Sequence, residues 1–189
     1  MHYSDARWVR PVHLLTLQNS WAIYLGKNRL TCMDLNIFLK FWINSEHDMI
    51  HLFLMDLDKT LFNDANALFD GIVFLRTFRF GFAFRIIAAS SSKTRNQQLM
   101  AIRWGGGQLS ITTWAKDEPV IIEEKEERSF SKEFEVVRIL EKKRELEESL
   151  ETEVEDGTRS EIKVKIEKLD WELVEKGVKF RDGISVLGN

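Results

Sequence analysis

The chain has 189 residues, 44% hydrophobic and 30% charged, which fits one compact soluble domain or a small domain with an appendage. A net charge of −3 gives no electrostatic case for a nucleic-acid partner, and a single cysteine, Cys32, excludes an intramolecular disulfide and a cysteine-rich metal site. No apolar run reaches the roughly 18 residues of a membrane span, and "MHYSDARWVRPVH" has no secretory apolar region, so no membrane partner and an intracellular location, cytoplasmic or nuclear, are expected.

The first predicted strand is "WAIYL", residues 21–25. A helix follows, because Leu35, Phe38, Leu39, Trp42 and Ile43 recur at the spacing of one apolar stripe. Thr31 and Asp34 stand three apart at its start and predict a capping box. "MIHLFLM", residues 49–55, reads as the next strand, and the short crossover predicts that it lies parallel to the first. Ile23-x-Leu25-x-x-Asn28 has the strand-to-turn spacing of a leucine-rich repeat, loosely echoed at Leu15–Asn19 and Leu52–Asp56. From residue 72 onward the pattern changes to alternation, as in Phe78, Phe80, Phe82, Phe84 and Ile86, which predicts half-buried antiparallel strands. "QLMAIRW" and "QLSITTW" flank Gly105-Gly106-Gly107 and predict a hairpin, with Ser90–Asn96 as the loop before it.

Composition shifts near Trp114. Of the 21 aromatic residues 17 lie in 1–114, whereas 116–189 hold 22 acidic and 15 basic residues. The expected organisation is a body at 1–114, a linker at 115–130 and a charged helical tail at 131–189. In the tail, Val136, Ile139, Leu146, Leu150 and Val154 mark one helix, and Ile162, Ile166, Leu169 and Leu173 another. The short "EDGTRSE" between them predicts an antiparallel hairpin, with Thr158 and Glu161 as a second capping box. Gly177 is expected to end the second helix and Asp182-Gly183 to turn a last hairpin. An oligomerising coiled coil is another reading of this tail. The fold class expected is α+β: short repeat-like β–α units, then an antiparallel sheet, then the helical hairpin.

One motif suggests catalysis. Asp56-Leu57-Asp58-Lys59-Thr60-Leu61 closes an apolar strand, as in the haloacid-dehalogenase-like phosphohydrolases, where the first Asp is the nucleophile and the second the general acid/base. That chemistry also needs a strand ending in Ser or Thr, for which Ser90 is available, and a cation, for which Lys93 or Lys116 is available. It needs a further strand ending in paired acids to complete a Mg²⁺ site. Asp117 and Glu118 follow a polar interval, and the other late carboxylates fall on helices, so this last part is missing. A magnesium-dependent phosphohydrolase with Asp56 and Asp58 is therefore the alternative reading; the main reading has no catalytic residues, metal or cofactor. His47 and His51 stand four apart but cross from loop to strand, so they predict no zinc site.

A resemblance covers more of the chain. Leu30-Thr31-x-x-Asp34-Leu35-Asn36-x-Phe38-Leu39-Lys40-x-Trp42-Ile43-Asn44 resembles the type 2 F-box-associated domain, a family expanded in nematodes. "LFDGI" (68–72), "MAIRW" and "LSITTW" are similar to later steps of the family, and the match is expected to run from about residue 12 to 114. The resemblance implies a non-catalytic protein-binding module that recruits substrate in a cullin-type ubiquitin ligase, with a protein partner. The F-box that usually precedes the domain is expected to be missing here. Arg76, Arg79, Lys93 and Arg95 are expected at the rim of the binding surface.

Overall fold

The computed structural model describes residues 1–58, 65–79, 81–122, 126–153, 155–181 and 183–188, and is α+β. Three parallel strands come first: β1 (His2–Asp5), β2 (Ser20–Lys27) and β3 (Ile50–Asp56). The helices α1 (Pro11–Leu15) and α2 (Cys32–Asn44) make the two crossovers. After the short α3 (Ala65–Leu68) the chain becomes antiparallel, through β4 (Leu75–Arg79), β5 (Phe82–Ala88), β6 (Leu99–Gly105) and β7 (Gln108–Trp114). β7 returns beside β3, antiparallel to it. A small separate hairpin, β8 (Val120–Ile122) with β9 (Glu126–Arg128), leads to α4 (Ser131–Thr152) and α5 (Asp156–Glu175). Last come β10 (Val178–Arg181) and β11 (Ile184–Leu187); β11 pairs parallel with β4 and so joins the body's sheet. The main sheet thus has nine strands in the order β1-β2-β3-β7-β6-β5-β4-β11-β10.

The α2 motif acts through its individual side chains. Thr31 Oγ1 accepts from the Asp34 amide at 3.2 Å, and Asp34 Oδ2 accepts from the Thr31 amide at 2.8 Å, so the capping box forms as predicted. Leu35, Phe38, Leu39 and Trp42 are buried in the stripe that faces the sheet. Asn36, also buried, donates from Nδ2 to the carbonyls of Leu68 and Asp70, at 3.0 and 2.9 Å, and so ties the "LFDGI" turn to α2. Asn28 joins the turn after β2 to the end of β3: its Nδ2 donates to the Gly26 and Asp56 carbonyls, and its Oδ1 accepts from the Leu30 amide. Gly26 lies under β1, where a Cβ would collide with the Ser4 carbonyl oxygen. In the β6–β7 turn Gly106 and Gly107 both have positive φ, the geometry that two-residue hairpins select.

Each face of the sheet has its own core. α1, α2 and α3 pack with Ile23, Leu25, Phe53, Ile87, Met100, Ile102, Leu109 and Ile111 on one face. On the other, Val136, Val137, Ile139 and Leu140 of α4 and Leu169 and Leu173 of α5 pack with Leu75, Ile86, Leu99, Ala101, Val178 and Leu187. Alternation along β5 and β6 sends neighbouring residues to opposite cores. The helical hairpin is antiparallel: Lys176 pairs with Glu135 and Lys143 with Asp170, and the Arg159 guanidinium donates to the Leu150 carbonyl. Glu133 of α4 is fully buried and takes a bidentate pair from Arg79 of β4, at 2.7 and 2.9 Å.

The structure departs from the sequence reading in places, among them a helix start and a strand. α5 begins at Asp156, so Thr158 lies inside the helix and its hydroxyl donates to the Glu155 carboxylate, in place of the expected capping box with Glu161. The short polar strand β1 was not expected at all; it is held by parallel pairing with β2. Gly177 has φ of 85° just past α5, as expected of a residue that ends a helix. Phe80, Val154, Asp182 and the Lys59–Asp64 part of the phosphohydrolase motif lie outside the described residues.

Candidate functional site

The two helical layers are offset. α1–α3 pack on one face over β2, β3, β7, β6 and the end of β5, and α4–α5 pack on the other face around β4, β5, β6, β10 and β11. On the face that carries α4, no helix among the described residues lies over β1, β2, β3 and β7. Register fixes which side chains stand there. Tyr24 is opposite Leu54, Leu54 opposite Ser110 and Ser110 opposite Arg103; one row over, Ala22 is opposite Leu52, Leu52 opposite Thr112 and Thr112 opposite Ala101. Except for Ala101, all of these are partly exposed.

Where this open strip meets the start of α4 it forms a groove of about 460 Å³. Its floor is Leu52, Leu54, Thr112 and Ala101, and its walls are aromatic: Trp114, Phe84 and Phe82 from the strands and Phe130 from the residue before α4. Phe130 is buried and holds two of them, stacked on Trp114 at 5.3 Å between centroids and edge-on to Phe84 at 5.9 Å. The Arg103 guanidinium lies 4.5 Å from the centroid of the half-exposed Phe82 ring. Aromatic walls fixed by packing, an apolar floor and a few hydroxyl and guanidinium groups are what extended apolar segments bind to.

Asp56 sits at one end of the strip. It accepts from the Tyr24 hydroxyl at 3.0 Å and lies 3.5 Å from Gln108 Nε2. The hydrogen bond favours the neutral phenol, so Tyr24 ionises above its usual value. Asp58 is exposed just beyond the end of β3.

The other residues nominated for phosphoryl transfer lie elsewhere. β5 and β7 run opposite to β3, so Ser90, Lys93, Lys116, Asp117 and Glu118, which follow their C-terminal ends, stand at the far end of the sheet from Asp56. Seven residues of β3 span about 20 Å, so the nominated groups do not meet in one site. Among the described residues no group of three or more His, Cys, Asp or Glu is placed to hold a metal ion. His51 stacks on Trp21 at 4.3 Å, and His47 is in the loop before β3.

Of the four arginines and lysines expected at a rim, three have structural partners. Arg79 holds Glu133, and Lys93 pairs with Glu46, holding its carboxyl below the usual range. Arg95 is buried: it lies 4.0 Å from the Trp42 ring centroid and donates to the His47 carbonyl at 3.2 Å. Sequence reasoning missed the groove walls, because Phe130 was placed in a linker and Trp114 at a domain edge. The signal available was the aromatic pair itself, standing on either side of a charged stretch.

Residues 2–53 match a family model described as F-box associated. The match begins at β1 and ends within β3, so it covers the three parallel strands, α1 and α2, and it supports the family resemblance over that part of the chain. It starts earlier and ends well before the 12–114 expected. No curated protein and no solved structure matches the chain. Among the described residues no helix is long and apolar enough to cross a membrane.

Proposed function

We propose that this chain is a non-catalytic protein-binding module and that the open strip beside α4 receives an extended segment of its partner. The observation that carries the reading is the groove itself: the exposed Phe82 and the partly exposed Trp114 and Phe84 stand over an apolar floor that, among the described residues, no helix covers. The F-box-associated match over residues 2–53 supports a protein partner. By the same resemblance the module recruits substrate to a cullin-type ubiquitin ligase when it is joined to an F-box, inside the cell. The Asn28 bridge between successive parallel strands supports describing β1–β3 as short leucine-rich-repeat-like units.

Selection of a displayed random-peptide library on the intact chain tests the reading. Peptides with apolar and aromatic side chains at alternate positions are expected to enrich. Their affinity is expected to fall about tenfold or more for Leu54→Asp, with its circular dichroism expected to match wild type. Failure to enrich any peptide, or equal binding by Leu54→Asp, contradicts the groove. Magnesium-dependent hydrolysis of an aryl phosphate that is abolished by Asp56→Asn replaces the module with a phosphohydrolase.

A further inference from the structure

The corner of the sheet diagonal to the groove has the opposite chemistry. Arg85 stands directly across from Arg76, Arg76 across from Val186, and Val186 across from Lys179. Residues directly opposite one another share a face, with β-carbons about 5 Å apart. These four therefore form one row over β5, β4, β11 and β10. The neighbouring row, Thr77, Leu187 and Val178, turns toward α4 and α5, so the cationic row faces away from the helical hairpin. Arg181, two residues beyond Lys179, is on the same side.

Like charges placed opposite each other are destabilising. Among the described residues no carboxylate forms an ion pair with Arg76, Arg85, Lys179 or Arg181, in a chain with more acids than bases. The Arg76 Nε is buried without a hydrogen-bond partner, and its guanidinium carbon is 5.9 Å from the Phe78 ring centroid. The Arg85 guanidinium lies 3.6 Å from the Trp104 ring centroid. Stacking fixes a guanidinium plane and leaves its N–H edge to meet a planar acceptor. Burial and the neighbouring Arg76 charge hold Arg85 below its usual pKa, as for two cations that lack a counter-ion.

We propose that this row docks an acidic segment of a partner protein, with carboxylates held by Arg76 and Arg85 and the segment continuing over Val186 to Lys179. The half-exposed Phe78 and Val186 add apolar contact that suits a peptide. The net negative chain, with its acidic tail, disfavours a long polyanion such as nucleic acid. The inference rests on the protein-binding reading but concerns a different surface from the groove.

Fluorescence anisotropy of a labelled decaglutamate peptide at low ionic strength tests it. Saturable binding to the wild-type chain is expected. It should weaken about tenfold or more for Arg76→Gln/Arg85→Gln, and less for Arg76→Lys/Arg85→Lys, which keeps the charge and loses the planar fork. Lys163→Gln/Lys165→Gln, the same charge change on the exposed side of α5, should bind as wild type. The Arg→Gln pair is expected to melt at or above the wild-type temperature because a repulsion is removed, so lost binding is separated from unfolding. Leu54→Asp should still bind decaglutamate, so failure of the groove reading leaves this result standing. Absent binding, equal binding by the Arg→Gln pair, equal loss in the Lys control, or tighter binding of decathymidylate overturns the proposal.

Discussion

Replacing Arg79 by Met is expected to destabilise the chain by about 3–5 kcal/mol, the cost of leaving a buried charge without its partner. Glu133 is fully buried in α4, and its carboxylate is held by both Arg79 N–H groups at 2.7 and 2.9 Å. The Thr77 hydroxyl, 3.4 Å away, cannot satisfy a carboxylate by itself. Met keeps the length of the aliphatic stem; the guanidinium's contact with the Phe130 ring, 5.5 Å from its centroid, is lost together with the ion pair. For a chain of this size the cost corresponds to a fall in melting temperature on the order of 10 °C. Glu133→Gln should cost less, about 1–2 kcal/mol, because Arg79 is partly exposed and regains water. The double variant Arg79→Met/Glu133→Met should lie closer to wild type than Arg79→Met does, since a buried pair is often replaceable by apolar side chains. Urea unfolding of the four proteins reads the cycle. A cost below about 1 kcal/mol for Arg79→Met, with additive single changes, would refute the seating of α4 on the sheet through Glu133.

Thr31→Ala should cost about 1–2 kcal/mol in urea unfolding, because it releases the Asp34 amide and opens the reciprocal cap. Asn28→Ala should cost about 1–3 kcal/mol and speed hydrogen exchange at the Leu30 amide, which donates to Asn28 Oδ1. Gly26→Ala should push β1 off β2 and remove exchange protection at the Ala6 amide, which donates to the Lys27 carbonyl; unchanged protection would show that β1 does not lie there. In an ultraviolet pH titration Tyr24 should ionise above the usual tyrosine value, and Asp56→Asn should bring it back down. Because the folded value is raised, the stabilisation from this bond is present below the ordinary tyrosine pKa and is lost as pH rises through the folded one.

How far the sequence carried depends on where each element's partners lie along the chain. α2 was legible because its stripe and cap are local: Thr31, Asp34 and the apolar positions lie within one helix. The β6–β7 hairpin was legible for the same reason, since adjacent glycines set its turn. β1 was not, because His2–Asp5 has no apolar alternation and becomes a strand only by pairing with β2, some 22 residues on. Glu133 is, in the sequence, one more charge of the helical tail; its partner Arg79 is 54 positions away. Arg95 read as a loop cation, and its burial depends on Trp42 and on the carbonyls of a loop about 50 residues earlier. The Asp56 motif misled in the opposite way: a short local match was in place, while the reversal of β5 and β7 put every distant helper at the other end of the sheet.

Methyl and amide NMR of the intact chain, titrated with the tightest peptide from the library selection, maps the surface that the peptide occupies. Shifts are expected to concentrate at Leu52, Leu54, Thr112 and Trp114, with the outer residues Met33, Ile37 and Phe41 of α2 unmoved. Shifts confined to α2, or spread evenly with none on the β3 and β7 strip, would contradict the groove.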